Sequence, residues 1–199
     1  MAETMGSRAA NGPADPDEAA RALGARIRAL RQARGATLTE IAAQAQLSHS
    51  FLSQVERGLE RLSMTSLFRV AQALGTTQQA LLTEQPRERS EGGFHVFRRQ
   101  DDSAVDMGSG PVHVMAPPSG RFVPMIMVGP FSDDGLWWEH GEDEFVYVLE
   151  GRMVVVLEDG EHELSAGDAT YYEGWVPHKW RTPEGGHTRV VVVKEQRRE

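Results

Sequence analysis

The sequence predicts two unlike domains, an all-α unit in the N-terminal half and an all-β unit in the C-terminal half (class α+β as separate domains), and three observations carry that prediction. From about Asp17 to Leu82 apolar residues recur at helical spacing, as in Leu23, Ile27 and Leu30 and then Leu38, Ile41 and Ala45. Beyond about Phe94 the pattern changes to short β-rich runs, FVYVL, MVVVLE, ATYY and RVVVV, separated by turn sequences such as EDGE, SAGD and PEGG. Charge divides along the same line: residues 21–82 hold eight Arg against three Glu, and residues 92–199 hold ten Lys and Arg against nineteen Asp and Glu. A net charge of −8 over 199 residues argues superficially against nucleic acid. The basic surplus of the first domain reverses that inference, because binding depends on local rather than total charge.

Each element follows from local chemistry. Residues 1–16 are small, polar and too poor in apolar side chains to offset the entropy of ordering, which predicts a disordered tail. Within residues 17–82, Thr37-Leu38-Thr39-Glu40 has the form of a capping box opening a helix to about Ala45. A tight turn through Gln46 and Leu47 leads to a second helix from Ser48 to about Arg57, with Gly58 and Gly75 where C-terminal caps belong. Residues 83–93, TEQPRERSEGG, have the composition of a linker. Residues 94–199 then form an antiparallel sandwich or barrel. In the run FVYVL, Phe145, Tyr147 and Leu149 face away from Val146 and Val148, so both sides need cover, from a second sheet and from a second subunit.

Several function classes are excluded or disfavoured by composition. There is no Cys, hence no disulfide, zinc thiolate or thiol nucleophile. The N-terminal residues lack the apolar stretch of a signal peptide, and no run of about 18 apolar residues occurs, which predicts a cytoplasmic protein without a membrane partner.

The segment LGARIRALRQARGATLTEIAAQAQLSHSFLSQVERGLERLSMTSLFRVAQALGTTQQALL resembles the phage-repressor (XRE) type of helix-turn-helix domain, with all five helices recognisable. The resemblance implies that the second of the two central helices enters the major groove. It puts Ser48, His49, Ser50, Ser53, Gln54 and Arg57, together with Thr39 from the preceding helix, against double-stranded DNA, while Phe51, Leu52 and Val55 face the core. Gln can hold adenine with two hydrogen bonds, and Ser or His can reach phosphates or base edges. The resemblance also pairs Glu56 with Arg31.

The stretches WEHGEDEFVYVLEGRM and SAGDATYYEGWVPHKW resemble the two motifs of the cupin barrel, a double-stranded β-helix. The family's first motif carries two His separated by one residue and then a Glu, and the second ends in a His. Those positions are held here by Trp138, His140, Glu144 and His178, so Trp replaces the first His. The remaining trio is a 2-His-1-carboxylate set suited to a divalent Fe, Mn, Ni or Zn, or to hydrogen-bonding an organic effector. Strand alternation places Trp138 beside His140 and Trp180 beside His178, and these two with Tyr172 form a candidate ligand pocket. The remaining histidines, His95, His113, His162 and His187, match no motif and read as structural or exposed.

Together these resemblances imply a non-enzymatic, sequence-specific transcriptional regulator, a repressor by default for this domain type. Its barrel would sense a metal or small-molecule effector, and a homodimer would present two recognition helices to an operator. The alternative is a mononuclear Fe(II) cupin oxygenase or epoxidase with a vestigial helix-turn-helix domain. The basic surplus and the complete set of polar positions on the second helix have no use in such an enzyme.

Overall fold

The computed structural model describes residues 16–83, 94–98, 104–117, 120–133 and 135–195. Of the tail expected over residues 1–16 and the linker expected over residues 83–93, residues 1–15 and 84–93 lie outside the described residues, while Pro16 opens the first helix and Thr83 closes the fifth. Five helices come first: α1 (Pro16–Ala33), α2 (Leu38–Gln44), α3 (His49–Glu56), α4 (Met64–Ala73) and α5 (Gln78–Leu82). The capping box forms as read: the Thr37 hydroxyl accepts from the Glu40 amide, and the Glu40 carboxylate accepts from the Thr37 amide at 2.7 Å. Ser48, Ser63 and Thr77 cap the next three helices with their hydroxyls alone, accepting from the Phe51, Ser66 and Ala80 amides. The turn between α2 and α3 is tight because Gln46 takes a left-handed conformation, φ 55°. Gly58 closes α3 at φ 70°, where a Cβ would also stand 2.6 Å from the Arg21 side chain.

α3 is held by its apolar face. Leu52 and Val55 are buried with Ile27, Ile41 and Ala45, and Phe51 is half-buried against them. Gly24 of α1 lets the two helices touch, since a Cβ there would fall 2.2 Å from the Val55 carbonyl oxygen. The expected pair is present: Arg31 Nε and a second guanidinium nitrogen donate to the two Glu56 carboxylate oxygens at 2.6 and 2.8 Å, and Arg31 also donates to the Ala36 carbonyl. That fork ties α1, the α1–α2 turn and the end of α3 into one unit.

The second domain is antiparallel throughout. Its strands are β1 (Val105–Asp106), β2 (Pro111–Val114), β3 (Phe122–Gly129), β4 (Glu144–Leu157), β5 (Gly160–Ser165), β6 (Ala169–Tyr172), β7 (Lys179–Arg181) and β8 (Thr188–Glu195). They run in the order β1-β2-β3-β8-β4-β5, with β6 and β7 also paired to β4. The runs FVYVL and MVVVLE, expected as separate strands, are one strand here. β4 crosses from one sheet to the other through a register shift between Val148 and Glu150, and Gly151 (φ 76°) follows where a Cβ would meet the His187 carbonyl oxygen at 1.8 Å. The first half of β4 pairs with β8 and β6, the second with β5 and β7. Inward-facing Met125, Met127, Val146, Val148, Val155, Val190 and Val192 fill the barrel.

The two domains touch. Arg61 donates to Asp106 at 2.7 Å, and α1 packs beside β1. A small cavity lies between them, walled on one side by Met64, Gln78 and Gln79 of α4 and α5 and on the other by Trp138, Trp180 and Lys194 of the barrel.

Because Arg31 and Glu56 are largely buried, 14% and 7% exposed, removal of one charge leaves the other uncompensated. Glu56→Gln is expected to cost about 3 kcal/mol in denaturant unfolding. Neutralising the exposed Arg152–Glu163 pair, 62% and 54% exposed, should cost under about 1 kcal/mol. Equal losses would contradict the structural weight placed on the buried fork.

Candidate functional site

Two sites were expected, one in each domain. On the helical domain, Ser48, His49, Ser50 and Arg57 are exposed on or beside α3, Thr39 is exposed on α2, and Ser53 and Gln54 are half-buried. All seven therefore belong to the α2–α3 unit, and none lies in the core. Three of them, Ser48, Ser50 and Arg57, have internal side-chain engagements as well. Ser48 Oγ accepts from the Phe51 amide and lies 3.3 Å from Ser50 Oγ, and Arg57 Nε donates to the Ser53 carbonyl at 3.3 Å. Ser48 is thus first a helix cap, and its hydroxyl is already committed to the start of α3.

Inside the barrel, the trio converges. Glu144 opens β4 and is fully buried, His140 lies four residues earlier in the approach to that strand, and His178 is buried just before β7. His178 is carried on a two-residue bridge with Trp138, whose backbone exchanges hydrogen bonds with it at 2.9 and 3.0 Å. One ligand atom from each member of the trio lies within 4.8 Å of the other two. His140 Nε2 is 3.2 Å and His178 Nε2 is 3.9 Å from a Glu144 carboxylate oxygen.

The ring tautomers follow from the partners. His140 Nδ1 lies 3.0 Å from the Glu142 carbonyl and His178 Nδ1 lies 2.9 Å from the Val176 carbonyl; a carbonyl only accepts, so both Nδ1 atoms carry the proton. Both Nε2 atoms therefore turn toward the trio. This is the outer bracing that metal-binding imidazoles use. Among the described residues, both buried Glu144 carboxylate oxygens, His178 Nε2 and Trp138 Nε1 have no hydrogen-bond partner. With that donor set the trio is compatible with a divalent metal.

A residue absent from the motif reading completes the site. Lys194 of β8 is directly opposite Glu144 in the register, and its ammonium lies 2.6 Å from Glu144 Oε2 and 3.0 Å from His140 Nε2. Its position was available in the run RVVVVK, where alternation puts Lys194 on the same face as Val190 and Val192. Burial alone would raise the Glu144 pKa, but the Lys194 ammonium and the two imidazoles hold it down to about 2. Burial lowers the His178 pKa against the pull of Glu144. His140 is also lowered by burial, but Glu142 and Glu144 outweigh that and leave it raised.

The three aromatic residues expected around a ligand are beside the trio. Tyr172 stacks on His178 with ring centroids 4.5 Å apart, Trp138 meets Trp180 edge-on at 5.1 Å, and Trp180 Nε1 donates to the Tyr172 hydroxyl. Trp138 and Trp180 line the interdomain cavity, whereas Tyr172 serves as a wall behind His178. The cavity volume is about 10 Å³, the lower limit for one water. The unmatched His162 pairs with Asp159 on the surface.

Comparisons with known proteins assign both halves. A helix-turn-helix domain family matches residues 22–84, and the cupin domain family matches residues 126–194. The chain thus joins a helix-turn-helix domain to a cupin domain. Over its length it is similar to the HTH-type transcriptional regulator PuuR of Escherichia coli (strain K12), 26% identical over 175 residues that cover 85% of this chain and 92% of that one. The immunity repressor protein of Bacillus phage phi105 is 33% identical over 85 residues, 43% of this chain and 59% of that one. The crystal structure of an HTH_3 family transcriptional regulator from Vibrio cholerae shares the fold, with a TM-score of 0.62 at 19% identity over 92% of this chain and all of that one.

The buried Glu144–Lys194 pair has a pH signature. The folded carboxylate titrates at about 2 and the free one at 4.5, so the pair contributes its full stability above pH 4.5 and loses it as pH falls through 2. In chelator-treated protein Glu144→Gln is expected to cost about 3 to 5 kcal/mol at pH 7. The gap to the parent should narrow as pH is lowered from 4.5. A gap that is small at pH 7, or constant with pH, would contradict the pairing.

Proposed function

We infer that the protein is a sequence-specific DNA-binding transcriptional regulator whose cupin barrel is its sensing domain. The observation that carries the reading is α3: its apolar face is locked into the helical core, while His49, Ser50 and Arg57 stand exposed on a domain with a basic surplus. Ser53 and Gln54 are half-buried along the same helix, within reach of a groove that α3 enters. Similarity to the named PuuR regulator across both domains, and to a phage immunity repressor over 85 residues, supports regulation, with repression as the default sense.

On the similarity to the PuuR regulator across both domains, we read the barrel as a sensing rather than a catalytic domain. Its trio would hold a divalent Fe, Mn, Ni or Zn ion through His140 Nε2, Glu144 and His178 Nε2, and such an ion would supply Lewis acidity and positive charge there. The cavity beside the trio is at the limit for one water and admits no organic molecule, substrate or effector, as it stands. An organic effector would have to part the α4–α5 wall from the barrel, with Trp138 and Trp180 as the surfaces it meets first. Among the described residues no helix is long and apolar enough to cross a membrane.

The outer face of the β3-β8-β4-β6 sheet supports a homodimer. Ile126, Val191 and Tyr147 are neighbours in register there, as are Pro124, Val193, Phe145 and Tyr171. Phe145, Tyr147 and Tyr171 are exposed. An apolar stripe of that breadth fits a second copy of the chain, and two copies supply the paired recognition helices that half-sites about 34 Å apart require.

Gel-shift or anisotropy measurements on DNA from the protein's own upstream region test the reading. Ser50→Ala and Gln54→Ala should each weaken specific binding by about 1 to 3 kcal/mol while leaving non-specific binding nearly unchanged. Arg57→Ala should weaken all DNA binding and reduce the salt slope by about one. No binding to any upstream fragment, or equal losses on all DNA from Gln54→Ala, would overturn base reading by α3. For the dimer, sedimentation of the full chain at micromolar concentration should give twice the monomer mass, and Tyr147→Asp should halve it. A parent chain that sediments as a monomer contradicts the interface.

A further inference from the structure

Lys194 stands where a metal would. Its ammonium bridges Glu144 Oε2 and His140 Nε2 at 2.6 and 3.0 Å, so it touches two of the three groups that would ligate a divalent ion. Its backbone is not free to carry it away: Lys194 is paired in register with Glu144 on one side and with Val123 on the other, in the middle of the sheet. The side chain is 8% exposed. An ion that takes both Glu144 and His140 needs the His140 Nε2 lone pair that the ammonium now faces, and a second cation in this buried site is repelled by it, so an entering ion has to move the side chain.

The direction of that movement is set by the surroundings. The void that Lys194 borders is the cavity walled by Met64, Gln78 and Gln79. At about 10 Å³ it is at the limit for a single water and too small for an ammonium with its terminal methylenes. The opposite wall belongs to α4 and α5, where Gln78 Nε2 donates to the Met64 carbonyl and Gln78 and Gln79 are both buried. The displaced side chain therefore pushes on the DNA-binding domain.

We propose that Lys194 is a built-in cation of the barrel, which a divalent metal must expel from between Glu144 and His140, and that the expelled side chain presses the α4–α5 wall and so reports metal occupancy to the helix-turn-helix domain. The inference rests on the metal reading of the trio given above and adds to it the competitor and the route of the signal.

The test uses Mn(II) as the probe with the full chain. Calorimetric titration at pH 7 should show Mn(II) binding about tenfold or more tighter in Lys194→Met than in the parent, because the ion no longer displaces an ion pair. Binding should be lost in His178→Ala. Hydrogen exchange of the α5 amides, residues 78–82, should change on Mn(II) addition in the parent and not in Lys194→Met. Should Lys194→Met fail to fold, Lys194→Gln, which is neutral but can still donate to Glu144, carries the same comparison. Equal or weaker Mn(II) binding in the lysine variant overturns the displacement, while the metal reading stands if both chains bind. An α5 response that is the same in both chains overturns the route of the signal. If neither chain binds Mn(II), Fe(II), Ni(II) or Zn(II), the metal reading itself fails and the proposal goes with it.

Discussion

The pair between Glu144 and Lys194 is the interaction on which the barrel's chemistry turns. A carboxylate with no exposure at all cannot stay ionised without a partner, and the register of β4 against β8 supplies one directly across the strand. The same pairing aims the ammonium at His140, while Glu142 and Val176 hold the far sides of the two imidazoles with their carbonyls. Glu144 and the two imidazoles are therefore each held by another group. A site built in this way is sensitive to one added charge, because no member can move alone.

That sensitivity has a recipient. Lys194 shares a cavity with Gln78, Gln79 and Met64, so the same side chain faces the trio and the helical domain. Within the helical domain the coupling is rigid: Leu67, Val70, Leu74 and Leu81 are buried with Leu52 and Val55 in one core, and Arg31 binds the end of α3 to α1. On the proposal above, a displacement of α4 and α5 would reach α3 through these packed side chains. The displacement proposed for Lys194 would be the element whose balance both a barrel ligand and DNA bias.

Much of this was legible in the sequence where the signal is local. The Thr37 and Glu40 capping box, the Ser48 cap and the glycines at positions 58 and 75 depend on short-range chemistry and stand in the structure as read, and the Arg31–Glu56 pair, which the family resemblance implied across 25 residues, is present as well. The His140, Glu144 and His178 spacing also brought its three residues together. What escaped depends on pairing across the chain. FVYVL and MVVVLE were read as two strands because a Gly-containing break between them looks like a turn, and only the partner strands show that Gly151 is a bend within one strand. Lys194 escaped because a search for ligands passes over a cation, although strand alternation pointed it inward. The role of Gln78 and Gln79 as a buried wall depends on how the domains meet, which no local pattern records.

The central claim is that charge in the barrel and DNA affinity on α3 are coupled. Its most direct test is the operator affinity of the full chain, measured by fluorescence anisotropy on a labelled upstream fragment at fixed salt, in chelator and again in saturating Mn(II). The account expects a change of several-fold between the two conditions in the parent and none in His178→Ala. An identical affinity with and without bound Mn(II) in the parent, with metal occupancy confirmed by elemental analysis, would contradict it.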